Sequence, residues 1–549
     1  MADYGLGSWP ARRARINGAD VALRQHTESG EHSEHGEQSA DRSLTYAELA
    51  ARVEGLSRAF AELGVGHGDR VAYLGPNDIA TFEVFFATAR LGAIFVPFNT
   101  RLAADEIAYL LDDARPTVLV YGPELADLVV AVDPAAHGVA AVVSVAGSGP
   151  GSYAALLHAA AGAGVGAAAG HCVVRSEVAL SDDAVILYTS GTTGRPKGAV
   201  LSHANMTFNT MNQLAHADVL TSDVALCMAP LFHAAGLGQV SLPTLFKGGT
   251  VVVAARFDPG YVLSAIAALR IASFSAVPTM LQMLCEHPDF AAADLSSLRF
   301  VIYGGSTVAE RVAVAWQRRG VPLLQGYGMT EASPGVYLAV PEGAAARPIS
   351  IGVPHFFTDV SLAAGTDEPE PGTSGELLVR GLNVFRGYWN RPADTDRAFT
   401  DGWFRSGDVV RVAEDGWAYV VDRVTDVIIS GGENVYPVEV EAVLNALPGV
   451  VDAAVVGVAD DRWGEVGFAF VIADPDAWTE ESLRAALRAR LASFKIPKYV
   501  RFIPTLPRTA TGKVRKQDLR ATAATAVGAA GTQPSIEETD RVHSRRHPG

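Results

Sequence analysis

Apolar positions Leu49, Val53, Leu56, Phe60 and Leu63 return every three or four residues, the spacing of one buried helix face. Thr45-x-x-Glu48 in front of them is a capping-box signature, and Gly64 behind them is a stop. The period then alternates between strand and helix: 70–74 reads as a strand, 79–91 as a helix, 94–98 as a strand, 103–113 as a helix and 117–121 as a strand. Such alternation predicts an α/β fold with parallel sheets covered on both faces, hence doubly wound. The same rhythm returns between Asn205 and Ile302.

The texture changes near residue 350. "GELLVRG", "WFRSGDVVRV" and "WAYVVD" are short alternating strands with Asp-Gly turns at Asp401-Gly402 and Asp415-Gly416, a β-rich subdomain. From about Ile428 a smaller α/β unit follows, with helices expected near 438–447 and 480–491. The polar segment "HTESGEHSEHGEQSADRS" and the tail after about Ala521 are expected to be disordered. His26, His32 and His35 in the first of these read as a solvated loop, since no acid or thiol cluster fixes a metal geometry. The stretch 154–170 has the length of a membrane span but is mostly Ala and Gly, and it reads as a surface connector. No stable membrane association is expected.

Composition narrows the function classes. The chain has 549 residues, 49% of them hydrophobic, ample for more than one domain, and its net charge of −16 argues against nucleic acid as a partner. Three cysteines without motif spacing, and no apolar signal segment at the N-terminus, predict a reducing cytoplasmic location. Of 44 basic residues only six are lysines, Lys197, Lys247, Lys495, Lys498, Lys513 and Lys516. In a chain that favours Arg so heavily, each lysine marks a place where a compact ammonium could matter; for Lys247 and Lys498 chance survival on the surface is as good a reading.

Lys197 closes the run "YTSGTTGRPKGAV", which crowds glycines and hydroxyls beside one ammonium. Apolar residues 184–187 and 199–201 on either side read as strands, so the run is a glycine-rich hairpin and lacks the spacing of a Walker loop. Thr189, Ser190, Thr192 and Thr193 offer donors to phosphate oxygens, while Gly191 and Gly194 let backbone approach closely. Further along, "QGYGMTE" supplies Glu331 as a hard oxygen ligand suited to Mg²⁺, Thr330 as a hydroxyl donor and Tyr327 as a flat face. Asp408 lies in a Ser-Gly-Asp turn, placed as acids that bind ribose hydroxyls are.

"YTSGTTGRPKGAVLSH", "PLFHAAGL", "YGMTE", "GEL", "FRSGD", "DRVTDVIISGGENVYPVEVE" and "LPRTATGK" follow one another in this order. Over roughly residues 44–518 the chain thereby resembles the adenylate-forming enzymes, the superfamily of acyl-CoA synthetases, peptide-synthetase adenylation domains and beetle luciferases. The resemblance implies a large N-terminal domain (1–421), a hinge (422–427) and a small mobile C-terminal domain (428–520) ahead of the tail (521–549). It also implies ATP, Mg²⁺ and a carboxylic acid as reactants of an adenylating step. The hairpin 189–197 would hold the β- and γ-phosphates, with Thr189 and Glu331 near the metal and Thr330 at the α-phosphate. Gly304, Gly305 and Ser306 would line the adenine and acyl pockets beside Gln325, Gly326, Tyr327 and Gly328. Asp408 would serve the ribose, Arg423 would donate to the ribose or a phosphate, and Lys513 would bridge the substrate carboxylate and the α-phosphate.

His233 in "PLFHAAGL" aligns with the residue beside the acyl pocket of acyl-CoA synthetases, where amino-acid-activating relatives carry Asp. Without that buried counter-charge an ammonium substrate is disfavoured, so the acid is expected to be fatty, aryl or cyclic. Ser430, Gly431 and Gly432 resemble the border of the pantetheine tunnel, and only 36 residues follow Lys513, too few for a fused carrier domain. Coenzyme A is therefore the expected acceptor; a separate carrier protein, or another nucleophile attacking the adenylate, is the alternative, and a non-catalytic nucleotide-binding protein a more distant one. A homodimer is compatible with the sequence. At the hinge the family usually has Asp or Lys two positions beyond the motif arginine, whereas this chain has Thr425.

Overall fold

The structure, a computed structural model, describes the chain from Asp3 to Ala530 apart from residues 26–41, 148, 150–151, 163–176, 190–195, 306–307, 364–370, 424–425, 431–432, 461–462, 475–476, 489, 492 and 510–511. It divides into two compact units, Met1–Val420 and Val421–Gly549. Both are α/β, and the first contains the doubly wound sheets and a β-rich part that the sequence pattern predicts.

In the first unit one sheet is built around Arg70–Leu74, with Ile94–Pro97 and Val118–Tyr121 parallel on either side. A second sets Val224–Cys227, Ser273–Ala276, Phe300–Tyr303 and Leu323–Gly328 side by side in parallel. Ile94–Pro97 and Phe300–Tyr303 are buried along their whole length, as strands covered on both faces must be. The capping box forms: Thr45 Oγ1 accepts from the Glu48 N–H at 3.2 Å, and Glu48 Oε2 accepts from the Thr45 N–H at 2.8 Å. The helix it starts, Tyr46–Glu62, buries Leu49, Val53, Leu56 and Phe60. In the β-rich part, paired Thr400 and Trp403 are joined by Asp401-Gly402 with both φ positive, at 51° and 81°, the primed-turn backbone that an Asp-Gly hairpin favours.

The second unit is a smaller sheet with helices on both faces. Val450–Asp460 pairs antiparallel with Gly464–Ala473, and Tyr499–Phe502 joins the latter in parallel. Pro437–Asn445 and Glu480–Arg488 bring Val440, Leu444, Leu483 and Leu487 onto Val455 and Val471. Leu519 and Ala523 cover Val456, Phe468 and Phe470 on the opposite face.

Three expectations are corrected. The 154–170 stretch does not begin as a surface connector: Tyr153–Gly162 is a helix whose Tyr153 is buried and donates its hydroxyl to Glu83 at 2.6 Å. Ala and Leu are strong helix formers, and the aromatic anchor fixes the helix on the core; residues 163–170 lie outside the described residues. Order does not end at Ala521, because helix Lys516–Ala530 continues beyond it. Its Leu519 and Ala523 have an apolar sheet face to bury against, which composition alone does not reveal. Arg42 and Ser43, assigned to the polar segment, instead begin strand Arg42–Thr45, paired with Val21–Gln25; the rest of that segment, with its three histidines, lies outside the described residues. Among the described residues no helix is long and apolar enough to cross a membrane.

Candidate functional site

Asp183–Thr189 and Lys197–Ser202 pair antiparallel with Thr189 opposite Lys197, so the glycine-rich run is a hairpin between two strands. Ser190, Gly191, Thr192, Thr193 and Gly194 lie outside the described residues. Thr189 Oγ1 donates to the Lys197 carbonyl at 3.4 Å, closing the base of the hairpin. Gly198 is required by space: a Cβ there would sit 2.6 Å from Ile186 Cγ2. Lys197 Nζ lies 3.2 Å from Asp394 Oδ2, its side chain 17% exposed and that of Asp394 16%. Burial raises the Asp394 carboxyl, yet hydrogen bonding and charge from Lys197 and Arg397 bring it below its ordinary value.

Glu331 sits in the short turn Thr330–Ala332 that follows Leu323–Gly328. Its carbonyl accepts from the Phe385 N–H at 2.7 Å, and its Oε1 accepts from the Tyr388 hydroxyl at 2.8 Å. Burial first, and the Glu331 charge second, push the Tyr388 hydroxyl far above the usual range, so it stays protonated and remains a donor. The Lys197 ammonium lies 5.6 Å from the centre of the Tyr388 ring. Tyr388 thus touches both Lys197 and Glu331.

Nearby, Tyr327 donates its hydroxyl to Asp408 Oδ2 at 2.7 Å. Asp408 is buried and its N–H donates to Ser406 Oγ at 3.1 Å, which fixes the Ser-Gly-Asp turn. Tyr303 and Gln325 are opposed in parallel strands, and the Tyr303 hydroxyl donates to Gln325 Oε1 at 3.0 Å. Gly304 and Gly326 keep this floor thin, for a Cβ on Gly304 would meet the Gly326 carbonyl at 2.8 Å. Gly328 has no room for a side chain, with the Pro334 carbonyl 1.7 Å from where a Cβ would lie. Gly305 takes φ +89° before Ser306, which lies outside the described residues. His233 is half-buried, its ring edge-on to Phe232 at 4.7 Å, just ahead of the π-helical turn Gly236–Ser241. Such turns occur frequently at functional sites; here Gln239 Nε2 lies within 3.5 Å and 3.7 Å of Cβ positions built on Gly326 and Gly304.

Arg423, Ser430 and Lys513 belong to the second unit. Arg423 ends strand Ala418–Arg423, and Ser430 is a buried residue ending Ile428–Ser430; Gly431, Gly432 and the hinge position Thr425 lie outside the described residues. Lys513 is exposed on a small loop where its carbonyl accepts from the Thr509 N–H at 2.7 Å and its N–H donates to Thr509 Oγ1 at 3.2 Å. The neighbouring lysines are tied to acids: Lys495 to Glu439 at 2.7 Å, Lys498 to Asp460 at 2.5 Å and Lys516 to Glu441 at 2.9 Å.

Sequence reasoning missed Tyr388, Asp394 and Gln239. The "RGYWNRP" run between "GEL" and "FRSGD" carries a signal for the first, an aromatic cluster behind a glycine in an otherwise polar stretch. Nothing in the local sequence distinguishes Asp394 from a surface acid.

A glutamate carboxylate and a threonine hydroxyl, as at Glu331 and Thr189, are hard oxygen donors of the kind Mg²⁺ takes together with substrate phosphates. Among the described residues no group of three or more His, Cys, Asp or Glu could hold a metal ion.

Family models describe residues 14–389 as an AMP-binding enzyme and residues 439–513 as the AMP-binding enzyme C-terminal domain. The chain is 46% identical to a feruloyl-CoA synthase of Amycolatopsis sp over 528 residues, 95% of this chain and 99% of the relative. It is 40% identical to an indoleacetate–CoA ligase of Aromatoleum aromaticum over 87% of this chain and 93% of that one. The solved anthranilate CoA ligase AuaEII in complex with anthranoyl-AMP matches with a TM-score of 0.83 at 25% identity, covering 96% of this chain and 99% of that chain. With a lysine-bearing hairpin, an acid turn and these matches over nearly its whole length, the chain belongs to the AMP-binding, adenylate-forming enzymes.

Proposed function

We propose that this enzyme is an AMP-forming acid–CoA ligase acting on an aryl-substituted carboxylic acid. The carrying observation is that one tyrosine, Tyr388, touches both a nearly buried lysine, Lys197, and an acid, Glu331, which together suit a magnesium-bound triphosphate. The substrate class is supported by the likeness to ligases named for feruloyl, indoleacetate and anthranilate groups. His233 with two alanines and a glycine behind it offers no counter-charge for an α-ammonium.

In the first half-reaction a carboxylate oxygen of the acid attacks the α-phosphorus of ATP, and the bond to pyrophosphate breaks. The hairpin from Thr189 to Lys197 holds the β- and γ-phosphates, with Thr330 donating to the α-phosphate. Glu331 and Thr189 are the residues that would hold Mg²⁺, which supplies charge neutralisation of the phosphate oxygens. Tyr327 presents its ring to adenine, Asp408 accepts from the ribose hydroxyls, and Arg423 donates to the ribose or a phosphate. Lys513 stabilises the charge shared by the carboxylate and the α-phosphate. In the second half-reaction the CoA thiol attacks the acyl carbonyl and AMP leaves; His233 and the Ser430–Gly432 run are the residues proposed to serve this step. The hinge at 422–427 lets the small domain serve both steps, since a few residues able to absorb φ/ψ change suffice. The described cysteines, Cys227 and Cys285, are both free, which suits the reducing cytoplasm.

A panel of hydroxycinnamic, indolic, benzoic, fatty and amino acids, assayed for pyrophosphate, AMP and thioester with and without CoA, tests this. An aryl acid should give stoichiometric AMP, pyrophosphate and thioester. Pyrophosphate release without CoA consumption, or a standard amino acid preferred tenfold, would overturn it.

A further inference from the structure

The segment 385–394 does more than cover the phosphate-facing groups of the first unit. Its Phe385 N–H donates to the Glu331 carbonyl at 2.7 Å, and its Trp389 N–H donates to the Gly198 carbonyl at 2.7 Å, next to Lys197. Between those anchors Gly387–Tyr388 pairs antiparallel with the hairpin's second strand, Tyr388 opposite Ala199. The Tyr388 N–H donates to Thr395 Oγ1 at 2.9 Å, which ties the tyrosine to the helix Pro392–Ala398 that carries Asp394. One stretch of chain therefore fixes Tyr388 by its backbone, aims its hydroxyl at Glu331 and lays its ring beside Lys197.

The arrangement matters because a carboxylate on a short turn has rotamer freedom that a metal site cannot use. The Tyr388 hydroxyl occupies one lone pair of Glu331 Oε1 at 2.8 Å and so restricts how the carboxylate turns. Asp394, at 3.2 Å from Lys197 Nζ, does the same for the ammonium. We infer that Tyr388 is a positioning residue that pre-aims Glu331 toward the metal of MgATP, a role resting on the nucleotide reading of Glu331 given above. It selects for the metal-bound form of the nucleotide and leaves the chemistry of the acyl group alone.

Tyr388→Phe tests this, because it removes one oxygen and leaves the ring packed edge-on against Phe385, 4.9 Å between centroids. A hydrogen bond to a charged acceptor that is partly exposed is worth about tenfold in an equilibrium. Equilibrium binding of ATP to the full-length variant, with Mg²⁺ and with chelator, should show MgATP weakened about tenfold and metal-free ATP unchanged. The Mg²⁺ concentration for half-maximal pyrophosphate release should rise in parallel. Glu331→Gln and the double variant complete a cycle: in the Glu331→Gln background, Tyr388→Phe should have no further effect on MgATP. Equal weakening of both nucleotide forms, no weakening of either, or full additivity in the cycle would each overturn the inference. If Glu331→Gln itself leaves the preference for MgATP intact, the assignment of Glu331 fails instead, and the cycle separates the two failures.

Discussion

Two lysines of this chain stand in opposite surroundings. Lys197 leaves a strand in the first unit with 17% of its side chain exposed and Asp394 at 3.2 Å. Lys513 is exposed on a short loop of the second unit, held by its backbone through reciprocal bonds with Thr509 and by the turn at Gly512, φ +83°. In the proposed reaction a phosphate at Lys197 would replace an existing carboxylate, so the net gain would be the difference between two anions and would appear as affinity. Lys513 has a fixed main chain and an exposed side chain; in the proposed reaction it meets charge that develops as the adenylate forms.

The largest effect that sharpens this contrast is expected at Lys513. Lys513→Ala should lower adenylate formation by about 10²–10³, roughly 3–4 kcal/mol, as loss of one preorganised transition-state contact does. It should retain most thioester formation from presynthesised acyl-adenylate and CoA, and leave the melting temperature unchanged because the side chain is exposed. Lys197→Ala should instead act mainly on the ATP KM. Rapid-quench measurement of each half-reaction checks both; equal loss of kcat in the two variants would erase the distinction drawn between the lysines.

A second contrast lies in how each unit is held together. The second unit depends on Leu519 and Ala523 to cover Val456, Phe468 and Phe470, a helix beyond the place where composition suggested order ends. Leu519→Ala should destabilise that unit by about 3 kcal/mol, the usual cost of truncating a buried leucine. Hydrogen exchange should show lost protection in Val450–Asp460 and Gly464–Ala473 with the first unit unaffected. Unchanged protection would mean that the helix adds nothing to that unit's stability.

The first unit is expected to open first in acid. Burial lowers His355 to about 3 and His203 to about 4; His216 adds to the effect at His355, while at His203 Asp182 opposes it. Both rings are therefore neutral when folded, and an unfolded chain with ordinary histidines takes up more protons below about pH 6.5. Their contribution is fully present above that pH and is lost as pH falls toward the folded values, about 2 kcal/mol for each by pH 5. The described part of the second unit contains no histidine. Acid titration followed by hydrogen exchange should open the first unit ahead of the second, and His355→Gln should flatten the slope. Simultaneous opening with an unchanged slope would contradict this.

What the sequence made legible follows from the range of the interactions concerned. The Thr45 cap, the Asp401-Gly402 turn and the strand pair around the glycine-rich run are decided within a few residues, and the chain pattern carries them. So do Glu331 and Lys197, whose motifs are local. Tyr388 and Asp394 acquire meaning only because the fold brings them to Glu331 and Lys197, each far away along the chain. The helix anchored by Tyr153 and the final helix escape the local pattern for the same reason: an Ala-rich stretch is helix or loop according to whether an apolar face awaits it elsewhere.

The smallest effect compares the two helix starts. Tyr46–Glu62 in the first unit begins with Thr45 and Glu48 exchanging bonds of 3.2 Å and 2.8 Å. Glu480–Arg488 in the second begins with Thr479 and Ser482 doing the same, the Ser482 N–H reaching Thr479 Oγ1 at 3.1 Å and the Thr479 N–H reaching Ser482 Oγ at 2.9 Å. Each cap satisfies two backbone donors that would otherwise have no partner. The Thr45 hydroxyl also donates to the charged Glu48 carboxylate at 2.8 Å, whereas the Thr479 hydroxyl donates to the neutral Ser482 hydroxyl at 3.1 Å. Thr45→Ala should therefore cost about 1 kcal/mol and Thr479→Ala somewhat less, each visible as faster exchange in its own helix. Glu48→Gln keeps the hydrogen bond and removes the charge, so it should recover most of the Thr45 effect's size difference and bring the two caps level. If Thr479→Ala costs more than Thr45→Ala, the charge of Glu48 is not what separates them, and the packing of the first turn must be.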